Sequence, residues 1–156
     1  MLFRSILGTP QWRSPYRLDM SSHASVRQDL GPAITFRSIG HVENSIDEPC
    51  APAEIRVAVS RIVIDPSLTD GLDGLQVGQQ LVVVFHFHRS QEYDLCQHPQ
   101  GDASRPKRGV FALRSPRRPN PIGLTVVTLR AIDSNVLLVS GLDAINGTPV
   151  LDLKPA

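Results

Sequence analysis

Six basic residues, Arg105, Lys107, Arg108, Arg114, Arg117 and Arg118, stand close together with no acidic residue between them. Four of them sit in or beside the run Gly109–Gly123, which reads G-V-F-A-L-R-S-P-R-R-P-N-P-I-G. Pro116, Pro119 and Pro121 each fix φ near −65°, remove a backbone donor and push the preceding residue away from helix. A connection built this way is stiff and extended, and ordering it in advance lowers the entropy cost of binding through it. Guanidinium forks suit carboxylates, phosphates and planar rings. With Asn120 beside the arginines, the run reads as a preorganised site for an anionic or mixed polar ligand. The plainer alternative is a surface loop of solvated arginines.

Three other constellations could do chemistry. In His86-Phe87-His88, strand alternation would set both histidines on one face, with Cys96 and His98 within reach for a metal. The same histidines could equally pack in the core or touch a ligand. Asp143 and Asn146 flank a tight turn: Asx side chains hold turns by themselves, and the alternative is a hydrogen bond to a ligand amine or hydroxyl. Cys50 and Cys96 are too few for a disulfide framework and are expected as reduced thiols of a cytoplasmic protein. No Cys-x-x-Cys pair, phosphate-cradling glycine loop or serine nucleophile elbow is present.

The net charge of +1 argues against broad coating of nucleic acid, whereas a local positive patch on a nearly neutral body suits focused anion binding. No apolar run approaches the roughly 18 residues of a membrane span. Residues 1–33 are rich in arginine and serine and poor in acids, and they lack the apolar core of a secretory signal. They read as a flexible N-terminal extension, or as an upstream start with Met20 as the true initiator. The folded domain is expected over 34–156.

The elements that must position these groups are short. Ile34–Gly40 has strand composition, and 42–53, with Pro49 and Pro52, reads as a loop. Ile55, Val57 and Val59 alternate like a strand whose phase slips at Ser60-Arg61, which suggests a bulge. Asp65-Pro66 stops it, and a helical turn capped by Asp65 or Ser67 follows. Leu81–Phe85 is a continuous β-branched run of the kind buried on both faces, and it continues through Arg89. Val110–Leu113 and Leu124–Leu129 read as strands flanking the Arg/Pro connection. Asn135–Ser140 and Val150–Leu153 read as two more, separated by a turn-rich stretch with Asn146-Gly147 and Thr148-Pro149. About seven short strands with long loops point to a mainly all-β chain folded as a small closed or partly open β-barrel.

At this point the motifs resemble a known family. F-H-R-S, then G-V-F-A-L-R-S-P-R-R-P-N-P-I-G-L, then L-D-A-I-N-G-T-P-V-L-D-L-K-P closely resemble the TsaA-like (TrmO-type) family over about Ile34–Pro155. The resemblance implies a small β-barrel, a homodimer, and an S-adenosyl-L-methionine-dependent N-methyltransferase. It implies methylation of N6 of threonylcarbamoyladenosine next to the tRNA anticodon, or of another small acceptor. A non-catalytic module binding an adenosyl ligand or RNA is the alternative. Residue by residue, it implies cofactor contacts at His88, Arg89, Arg114, Leu124 and the turn Asp143-Ala144-Ile145-Asn146. Arg117, Arg118 and Asn120 are then candidates for the RNA or acceptor. The chain differs from the tRNA-modifying members in having Asn146 where they carry an acid. Its first loop is Asp47–Pro52 where they carry a Pro-Arg-Gln type segment. Longer members continue into a C-terminal domain, so the chain reads as a short form.

Overall fold

A computed structural model describes residues 31–156. The expectations for residues 1–30, including the alternative start at Met20, lie outside them. The compact unit spans Thr35–Ala156.

Six strands close a barrel in the order β1-β2-β7-β6-β3-β8. They are β1 (Gly40–Glu43), β2 (Val59–Ile64), β3 (Gln80–His86), β6 (Ile122–Asp133), β7 (Val136–Ser140) and β8 (Pro149–Pro155). Every neighbouring pair is antiparallel. A separate two-stranded ribbon pairs β4 (Cys96–Gln97) with β5 (Arg108–Gly109). The mainly all-β barrel expected from the sequence is the fold found, and closure leaves its strands no free edge.

The core is the barrel interior. Val42, Ile62, Ile64, Leu81, Val83, Phe85, Val127, Leu129, Leu137, Val139 and Val150 are all buried there, with Leu142 and Ala144 added from the turn between β7 and β8. Along β3 burial alternates, with Leu81, Val83 and Phe85 inward and Val82, Val84 and His86 half-buried outward. The reading of this run as buried on both faces is thus corrected: a small barrel has one packed face, and β-branched residues also suit its outer wall. Gly123 pairs with Phe85, and a Cβ there would stand 2.3 Å from the phenylalanine ring. Only glycine lets the ring lie across β6.

Four other sequence expectations are corrected. The first strand is Gly40–Glu43 rather than Ile34–Gly40, and it occupies part of the expected loop. Residues Pro52–Val57 form a short helix, α1, not a strand; Pro52 at its start presets the first helical φ. The phase slip is therefore the helix-to-strand junction, and β2 itself pairs without a bulge. Bulges occur instead where Arg130 is extra in β6 against β7 and Leu151 is extra in β8 against β3. Val110–Ala112 is a single 3-10 turn, not a strand. The turn after β2 is a 3-10 helix, Pro66–Leu72, capped by Asp65, whose carboxylate accepts from the Ser67 N–H at 2.9 Å.

Candidate functional site

Strand direction decides which connections meet. β3 ends where β6 begins, since His86 pairs with Ile122. β8 begins beside the same end, since Phe85 pairs with Val150. β1 runs antiparallel to β8, so its end leads to that rim, and β2 starts from it. Four connections therefore gather at one end of the barrel. They are the first loop with α1, the segment after β3, the Arg/Pro connection, and the turn between β7 and β8.

Hydrogen bonds stitch them into one rim. The Phe87 N–H donates to the Pro121 carbonyl at 2.8 Å, and the Ser90 hydroxyl to the Pro116 carbonyl at 2.8 Å. Arg89 pairs with Glu48 of the first loop at 2.7 Å. Arg56 of α1 pairs with Asp143 at 3.1 Å. The Asn146 N–H donates to the Ile46 carbonyl at 2.7 Å, and its side-chain amide to Asp47 at 2.9 Å. Asn44 is the centre of this stitching: its Nδ2 donates to Ser60 Oγ at 3.0 Å and to the Ala144 carbonyl at 2.9 Å. Its Oδ1 accepts from the Ile46 N–H at 3.0 Å. Sequence reading missed Asn44. A lone asparagine after a short strand carries no signal until its partner Ala144, a hundred residues later, is known.

The candidates fall into place as follows. His88 and Arg89 lie in a turn just past β3, where the His88 N–H donates to the His86 carbonyl at 2.8 Å. The strand has ended, so the expected same-face alternation of His86 and His88 does not apply, and among the described residues no three His, Cys, Asp or Glu side chains gather as metal ligands. Burial, then the positive charge of Arg89, then His86, hold the His88 imidazole below its ordinary pKa. Asp143, Ala144, Ile145 and Asn146 form another part of the rim, with Ala144 and Ile145 buried and Asp143 half-buried. Leu124 faces outward on β6 beside Val84, and it is 54% exposed. No hydrogen bond or ion pair joins Arg114 to the other candidates.

The arginines differ in how they are held. Arg117 pairs with Asp94 at 2.9 Å, so an acid from the preceding loop neutralises part of the basic patch. Arg118 donates to the Leu113 carbonyl at 3.4 Å and is half-buried. Asn120 is exposed, and its carbonyl accepts from the Ile122 N–H at 2.7 Å. Among the described residues, four cationic side chains have neither a hydrogen bond nor an ion pair: Arg37, Lys107, Arg108 and Arg114. Three of the four belong to the basic run.

This rim can do one kind of chemistry well. Arg114 is free to form a charge-assisted pair with a ligand carboxylate. Arg89 and Glu48 are largely exposed, and such a pair contributes about 0–1 kcal/mol, so a ligand displaces it cheaply. Arg56 occupies one oxygen of Asp143, and the carboxylate keeps further lone pairs for a hydroxyl or amine. Two clefts of about 350 and 340 Å³ contain none of the candidate residues; one lies beside β1 and one along the 3-10 helix and β8.

Known proteins are similar to this chain in sequence and fold. The model of the tRNA-methyltransferase O N-terminal domain matches residues 40–156. A probable S-adenosyl-L-methionine-binding protein of Methanothermobacter thermautotrophicus is 42% identical over 125 residues, covering 78% of this chain and 89% of that protein. The tRNA (adenine(37)-N6)-methyltransferase of Rattus norvegicus is 40% identical over 87 residues, covering 54% of this chain but 20% of the rat protein. The crystal structure of TrmO from Pseudomonas aeruginosa superposes with a TM-score of 0.63 at 30% identity. That match covers 80% of this chain and 56% of the other, so the chain spans little more than half of the solved relative.

Proposed function

Because the chain belongs to the tRNA-methyltransferase O N-terminal domain family, we propose that it binds S-adenosyl-L-methionine at the rim described above and transfers its methyl group to an acceptor amine. The finer reading is that the acceptor is N6 of threonylcarbamoyladenosine beside a tRNA anticodon. The observation that carries the proposal is the free Arg114 guanidinium on a proline-stiffened loop at the same barrel end as the Asp143–Asn146 turn. Bound there, the cofactor would supply an electrophilic methyl on a sulfonium, with the neutral thioether as the leaving group. Arg114 holds the methionine carboxylate. The Asp143–Asn146 turn offers its remaining acceptors and backbone groups to the adenosine, and His88, Arg89 and Leu124 line the approach between them. Arg117, Arg118 and Asn120 orient the acceptor, so that most of the rate gain comes from alignment of amine and methyl.

The fit to the cofactor rests on this chain's own donor set. The unpaired Arg114 guanidinium suits a carboxylate, and Asp143 keeps acceptor capacity suited to a sugar hydroxyl. The family's homodimer is part of the proposal, with the apolar outer wall of β3 and β6 as its contact. The names of relatives such as the Methanothermobacter protein speak of binding alone, which keeps a non-catalytic adenosyl-binding module as the second reading. Isothermal titration of S-adenosyl-L-methionine into the protein tests the site. Arg114→Ala should weaken binding at least tenfold without changing the melting temperature, and unchanged affinity would sink the assignment. Methyl transfer to bulk tRNA, followed with labelled cofactor, separates enzyme from binding module.

A further inference from the structure

Phe111 is 78% exposed, although it stands in the most constrained part of the chain. The 3-10 turn Val110–Ala112 explains how it is presented. Val110 is buried, and its N–H donates to the Leu95 carbonyl at 2.9 Å, anchoring the turn to the segment before β4. The Leu113 N–H closes the turn on the Val110 carbonyl at 3.1 Å. The next residue, Phe111, is thereby turned outward on a fixed backbone. Among the described residues no other ring meets it; the one aromatic pair is Phe85 with Phe87. A single exposed apolar side chain is ordinary in itself. What sets this one apart is its flank. Lys107 and Arg108 precede it by four and three residues and Arg114 follows by three, and these are three of the four unpartnered cations among the described residues. A rigidly presented ring among free positive charges is the arrangement that binds single-stranded nucleic acid, with the base on the ring and phosphates on the cations.

We propose that Phe111 is a stacking platform for an unpaired RNA base next to the methylated one, with Lys107 and Arg108 taking the adjoining phosphates. The proposal rests on the reading of the acceptor as RNA. It assigns to the ribbon side of the rim a role that the cofactor does not use.

The test measures fluorescence anisotropy of a labelled anticodon-arm RNA hairpin over a range of salt, with the full chain. Phe111→Ala and Phe111→Leu should each weaken binding about 5- to 150-fold, and Phe111→Trp should restore it, since a base stacks on any aromatic face. The slope of affinity against salt should stay the same in the Phe111 variants. It should fall by about 0.7 per cation removed in Lys107→Gln and Arg108→Gln. Melting temperature and cofactor affinity should not move in any Phe111 variant. Equal RNA binding by Phe111→Leu and wild type overturns the platform while leaving the RNA reading intact. Loss of cofactor affinity in Phe111→Ala makes the ring part of the cofactor site, and loss of dimer in sedimentation makes it part of an interface; either overturns the proposal. A wild type that binds no RNA overturns both this inference and the reading it rests on.

Discussion

At His88, burial, then the charge of Arg89, then the neighbouring His86, all act in the same direction and favour the neutral imidazole. The sign follows directly. The folded pKa lies below the ordinary value of 6.5, so between the two values the unfolded chain binds more protons. The associated stability is fully present above pH 6.5 and is lost as pH falls through the lowered folded value. For the proposed ligand, itself a cationic sulfonium, the same protonation adds a positive charge to the site beside Arg89. Cofactor affinity should therefore fall as pH drops below 6.5 and through the lowered His88 value, and His88→Gln should flatten that dependence. Calorimetric titration across this range checks it; an equal slope in the variant would remove His88 from the site. At this scale the sequence was partly legible. Arg114 declares itself through its prolines and its lack of nearby acids. The true place of His88 does not, because the alternation of β3 stops at His86 and nothing in the residue types marks the stop.

The elements show why the first loop was hard to read. Ile55, Val57 and Val59 keep a strand's period, yet only Ile55 is buried, and Val57 is among the most exposed apolar residues of the chain. A six-residue helix is too short for its own periodicity to outvote two chance alternations. Its purpose becomes visible through Asn44, Asp47, Glu48 and Arg56, which tie the loop and α1 to the Asp143–Asn146 turn and to Arg89. Asn44→Ala would leave the fully buried Ser60 hydroxyl and the Ala144 carbonyl without their donor. An unsatisfied buried group costs about 1–3 kcal/mol, so chemical denaturation should show a loss of that size. Cofactor affinity should also fall at temperatures where the variant is folded, because the turn is no longer held in one shape. The stability loss without any affinity loss would show that the clamp serves the core alone.

For the molecule as a whole, the barrel class was legible because turn signals recur at short intervals between β-branched runs. Which loops share an end was not, because only strand pairing sets it. The outer wall gives the whole-molecule prediction. Leu124 and Val126 of β6 are about half exposed, and Val84 and Val82 of β3 stand beside them in register. A contiguous apolar wall of this kind suits a second copy of the chain. Val126→Glu should dissociate the proposed dimer in sedimentation equilibrium and leave the barrel folded, since the side chain points away from the core. A wild type that sediments as a monomer at micromolar concentration would refute the interface.

The seam at which the barrel closes, β1 against β8, has a consequence in time. Gly40 meets Val150, and Asn44 reaches Ala144 across 100 residues of chain. Contacts so distant in sequence form late, after their loop entropy has been overcome. Until β8 pairs, the rim is therefore incomplete, although every arginine of the Arg/Pro connection precedes β8 in the chain. A chain in that interval carries the positive charges without the turn that completes the proposed site, so ligand binding waits on the pairing of β8.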